Sequence, residues 1–138
     1  MSYLDEIATA VAGASTGFVL DTSVFVDSMP DTPNTCIGVY GPAGSGPFIA
    51  LGTTTPSFES PGLQVICRST SYTTARSNAE TVYLHLITKV NTSLGSTGGS
   101  SATYLSIDPL QTPFTLGSDE NDRPLFGCNY RVRKGLSA

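Results

Sequence analysis

Tryptophan is absent from this 138-residue chain, histidine occurs once, and no Lys, Arg or His precedes Arg68. Each shortage removes a class of function. Without tryptophan, the broad ring that stacks on sugars is missing. The lone His85 lies mid-helix in the reading below, and no GxSxG elbow exists to complete a Ser-His-Asp triad. The three cysteines, Cys36, Cys67 and Cys128, are odd in number and far apart. They form neither a disulfide framework nor a CxxC pair, and with His85 they match zinc-ligand spacing poorly. Three buried free thiols are expected instead. No run approaches the roughly 20 apolar residues of a membrane-spanning helix. Met1 to Ala14 holds Asp5 and Glu6 but no Lys or Arg, so the basic start of a secretory signal is lacking. Charged residues make up only 13%, about half the usual share. Ser, Thr and Gly take their place, a surface suited to an assembled interface.

Three loops imitate ligand motifs without completing them. Gly41-Pro42-Ala43-Gly44-Ser45-Gly46 lacks the Lys-Ser/Thr that grips phosphate, and Pro47 follows where a helix should start. Asp119-Glu120-Asn121-Asp122 is rich in carboxylates, yet the glycine and distal glutamate of a calcium loop are missing. It reads as a solvated hairpin turn. Asn91-Thr92-Ser93 is a glycosylation sequon, meaningful only in a secreted chain. No catalytic, metal or cofactor set emerges.

Charge is unevenly spread. Asp5, Glu6, Asp21, Asp27, Asp31 and Glu59 leave everything before Arg68 at about −6; seven bases against five acids leave the rest at about +2. Net acidity argues against a protein that grips phosphates, which needs clustered Lys and Arg. An acidic wall would instead let a strand slide past; the plainer reading is that these acids solvate loops and caps.

Along the chain, Ser2 to Ala12 reads as a short helix, with Leu4, Ile7, Ala8 and Val11 on one face and Gly13 and Gly17 ending it. Strands are expected at Val24 to Val26 and at Thr35 to Tyr40, joined by the turn Met29 to Asn34. Residues 41–62, rich in Gly and Pro, read as a long irregular loop with a short strand at Phe48 to Leu51. Leu63 to Ser69 is a strand. A long helix follows over about 72–91, with Ala75, Ala79, Val82, Leu86 and Val90 as its stripe. Residues 92–102 form a flexible Gly/Ser/Thr linker. Thr103 to Asp108 is a strand, and Thr112 to Gly117 and Leu125 to Arg133 are the arms of a hairpin. In the last arm Phe126, Cys128, Tyr130 and Val132 share one face; Gly127, Asn129, Arg131 and Arg133 share the other. The fold class is α+β: one domain over 1–138, a mainly antiparallel sheet of about four to six strands, both helices packed on one face. The opposite face then needs water or a neighbouring subunit.

Several segments, in this order, are similar to those of tailed-bacteriophage tail terminator proteins, also called minor capsid proteins. They are Pro61-Gly62-Leu63-Gln64-Val65 entering a strand that ends at Arg68, Tyr72-x-x-Ala75-x-x-x-Ala79, Ile107-x-Pro109-x-Gln111-x-Pro113, Leu116-Gly117 with Asp119-Glu120-Asn121-Asp122-Arg123, and Phe126-x-x-Asn129-Tyr130-x-Val132. Met29-Pro30-Asp31-x-Pro33 before the strand at Ile37 fits more loosely. The resemblance covers most of the chain but not 41–60 or the linker.

The resemblance implies a structural virion protein and not an enzyme. Such subunits form a six-fold ring on the head-proximal end of the tail tube, stop tube polymerisation, and join tail to head. The implied partners are copies of itself, the tail tube protein, a head–tail connector or stopper protein, and genomic DNA passing through the lumen without sequence-specific binding. No membrane is involved; the location is the virion neck, after assembly in the host bacterial cytoplasm. Arg68, Arg131 and Arg133 are the candidate contacts to a subunit or partner, from strand alternation. Two other readings stand beside this one: another neck protein of the head-completion or stopper kind, and a small secreted carbohydrate-binding module.

Overall fold

The computed structural model describes residues 3–49, 56–90, 92–93 and 103–135. Two helices and nine strands follow in the order α1 (Tyr3–Ala12), β1 (Val24–Val26), β2 (Cys36–Tyr40), β3 (Ser45–Ile49), β4 (Pro56–Ser60), β5 (Gly62–Arg68), α2 (Tyr72–Leu86), β6 (Thr92–Ser93), β7 (Thr103–Pro109), β8 (Phe114–Ser118) and β9 (Pro124–Gly135). Among the described residues all nine strands belong to one sheet.

The long strand β9 organises that sheet. Along one edge it pairs with β5 and then β4; along the other it pairs with β8 and then β7, always antiparallel. β5 continues to β2, and β2 to β1. The β1–β2 pair is parallel and the other seven pairs among the described residues are antiparallel, so the sheet is mixed but mainly antiparallel, as expected, with more strands than the four to six expected.

Register lines up the apolar positions. Val24 stands opposite Ile37, Ile37 opposite Cys67, Cys67 opposite Phe126. Val39, Val65 and Cys128 form a second row, and Leu63 with Tyr130 and Val132 with Ile107 extend the set. Because side chains alternate along a strand, all of these project to one face. There they meet Leu4, Ile7, Ala8 and Val11 of α1 and Ala75, Ala79, Val82 and Leu86 of α2 in one buried cluster. Each Val, Leu or Ile among them contributes about 1.5–3 kcal/mol by leaving water. Both helices therefore cover the same face, and among the described residues the other carries none.

Polar ties fix α1 on the core. The Tyr3 hydroxyl donates to the Gly62 carbonyl at 2.8 Å. The Tyr104 hydroxyl of β7, fully buried, donates to Glu6 Oε1 at 3.0 Å. Gly13 ends α1, its N–H donating to the Thr9 and Ala10 carbonyls.

Boundaries depart from the sequence reading in three places. α2 begins at Tyr72 but stops at Leu86. The next residues, Ile87, Thr88 and Val90, are β-branched and stiff at χ1. Thr88 donates its hydroxyl to the His85 carbonyl at 2.6 Å, closing a turn. Segment 41–62 is not one long loop: it holds β3 and β4, an antiparallel hairpin interrupted by register shifts, and the start of β5. Ala50 and Leu51, the end of the strand expected there, lie outside the described residues. Linker residues Thr92 and Ser93 pair with Tyr104 and Thr103 as β6; residues 94–102 lie outside the described residues.

Candidate interaction surface

The helix-free face is assembled from the residues between the core positions. Phe25, Gly38, Ile66 and Gly127 occupy one row by register; Tyr40, Gln64 and Asn129 occupy the next. Two glycines set its contour. A Cβ on Gly38 would stand 2.6 Å from Met29 Cγ and 2.7 Å from Tyr40 Cε2. A Cβ on Gly127 would stand 2.8 Å from Leu116 Cδ1. Lacking those side chains, the sheet lets Met29, Tyr40 and Leu116 lie down on it, and the face is partly apolar.

Polar groups ring this floor. Arg131 and Arg133 are exposed on β9. The Arg133 Nε approaches Asp108 Oδ2 at 3.5 Å, both chains about half exposed. Lys134, which alternates to the helix-covered side, meets Glu59 at 2.9 Å and is much less accessible. A hollow of about 340 Å³ opens between Asp27, Tyr40, Gly41, Pro42, Gln64 and Ile66.

One end of the face is closed by two turns pinned together. Arg123, 7% exposed, sends Nε to Asp119 Oδ2 (2.8 Å), Nη2 to Asp31 Oδ1 (2.9 Å) and Nη1 to the Asp31 carbonyl (2.6 Å) and Asn34 Oδ1 (3.1 Å). Asp119 Oδ1 also accepts the backbone N–H groups of Asn121 (3.0 Å) and Arg123 (2.9 Å). Desolvation pushes the Asp119 carboxyl up. The two N–H groups and the Arg123 guanidinium outweigh it, and the group ends below the ordinary carboxylate range. The Asp119–Asp122 run is thus an internally bonded turn in which the Asp119 carboxylate is already engaged.

Of the three arginines singled out in the sequence, Arg131 and Arg133 lie exposed together on the open face. Arg68 points to that face too, but the 29–34 turn folds over it. It is 4% exposed, and its guanidinium donates to the carbonyls of Pro30, Pro33 (2.8 Å) and Asn34 (3.3 Å). Arg68 shapes the surface from below. Arg123 and Asp31 escaped the sequence reading as a pair; the available signal was a lone arginine directly after an acidic run.

The groups with chemical potential are placed for structure. Cys36, Cys67 and Cys128 are free and buried, as expected, and burial pushes each thiol up, away from reactivity. His85 meets the Ala10 carbonyl at the end of α1; burial and Lys89 lower its pKa despite that bond. Among the described residues no three His, Cys, Asp or Glu side chains converge to hold a metal ion. No described helix is long and apolar enough to cross a membrane.

Two solved structures share the architecture. One chain, from the virion of a native gene transfer agent particle, superposes with a TM-score of 0.54 at 18% identity, covering 94% of each chain. A second superposes with a TM-score of 0.55 at 18% identity, covering 100% of this chain and 99% of that one. Identity this low speaks for the fold alone. No curated protein sequence matches. A family model described as bacteriophage tail terminator protein matches residues 3–134, nearly the full length. By that match the chain belongs to the bacteriophage tail terminator family.

Proposed function

We propose that this structural phage tail protein closes with copies of itself into a six-fold ring on the head-proximal end of the tail tube. The ring halts addition of tube subunits and presents a surface to the connector or stopper protein of the head. Genomic DNA passes through its centre without sequence-specific contacts. The family match over residues 3–134 carries this reading. The helix-free sheet face gives it a physical seat, because a partly apolar sheet surface edged with arginines is the kind that a neighbour covers. Arg131 and Arg133 contact that neighbour, and Arg68 supports them indirectly by holding the 29–34 turn.

The test is tube growth. Tail tube protein polymerised with and without the chain should give short, uniform tubes in its presence and long, variable ones in its absence. Tubes of unchanged length distribution at saturating chain would overturn the proposal.

A further inference from the structure

We draw no further inference here: the strongest candidate, the polar hollow of about 260 Å³ between Met29, Arg68, Glu120 and Asn121, belongs to the Arg123 clamp already described, with Arg123 held by Asp31 and Asp119 and Arg68 by the carbonyls of Pro30, Pro33 and Asn34.

Discussion

The Arg123 guanidinium lies 2.9 Å from the Asp31 carboxylate although 92 residues separate them in sequence. With Asp119 at 2.8 Å on the same guanidinium, one side chain clamps the β8–β9 turn to the turn before β2. Arg123→Ala should lower the thermal midpoint and increase amide exchange in residues 29–34 and 119–122. Arg123→Lys should recover only part of the loss, because an ammonium lacks the planar fork that reaches several acceptors at once. Equal midpoints for all three chains would remove the clamp from the account.

The same clamp sets an acid limit. Asp119 titrates below its ordinary value, so the folded state binds its proton less readily than the unfolded chain does. Its contribution is complete above the unfolded value of about 3.9 and disappears as pH falls through the lower folded one. Thermal melts of wild type should therefore drop more steeply below about pH 4 than those of Asp119→Asn. His85 adds a separate step nearer neutrality. Its pKa is depressed by burial first and by Lys89 second, so its contribution holds above about pH 6.5 and declines below. His85→Gln should flatten that segment of the curve; an unchanged slope between pH 5 and 7 would contradict it.

Two buried tyrosines should respond in opposite ways to losing a hydroxyl. Tyr104 donates to buried Glu6, so Tyr104→Phe leaves that carboxylate short of a donor and should cost about 1–3 kcal/mol. The Tyr130 hydroxyl makes no well-formed hydrogen bond among the described residues and faces only a weak partner, the Cys128 thiol. That thiol donates to the Gln111 carbonyl at 3.0 Å. Tyr130→Phe should be neutral or stabilising. Urea unfolding measures both, and a Tyr130→Phe cost as large as that of Tyr104→Phe would be inconsistent with this packing.

Arg131 and Arg133 should matter for assembly and little for folding. The Arg133–Asp108 pair is half exposed, worth about 0–1 kcal/mol at most. Replacing both arginines by Glu should leave the melting curve nearly unchanged while attachment to tail tubes falls sharply. Normal attachment by the double variant would release these residues from any interface role.

What the chain displayed locally was legible, and what it built over distance was not. The α2 stripe Ala75, Ala79, Val82, Leu86 repeats with the helical period, and Phe126, Cys128, Tyr130, Val132 alternate cleanly, so both elements could be read from spacing; Val90, expected as the last member of the stripe, lies beyond the helix end and is exposed. The β3–β4 hairpin hides behind Gly and Pro, and β4 is completed by Phe58 opposite Gly135, a partner that no local pattern announces. The parallel placement of β1 is likewise decided by tertiary packing. Alternation correctly gave the side on which Arg68 emerges, but not the turn that folds over it; that cover depends on a clamp spanning 92 residues.

The proposed role requires the chain to close with its own copies around the end of a tube. The direct measurement is electron microscopy of tail tubes incubated with gold-labelled chain, beside the chain's mass in solution by light scattering. A ring with an open centre at one end of each tube is the predicted result. Label spread along the tubes or absent from their ends, with a monomeric mass at high concentration, would contradict it.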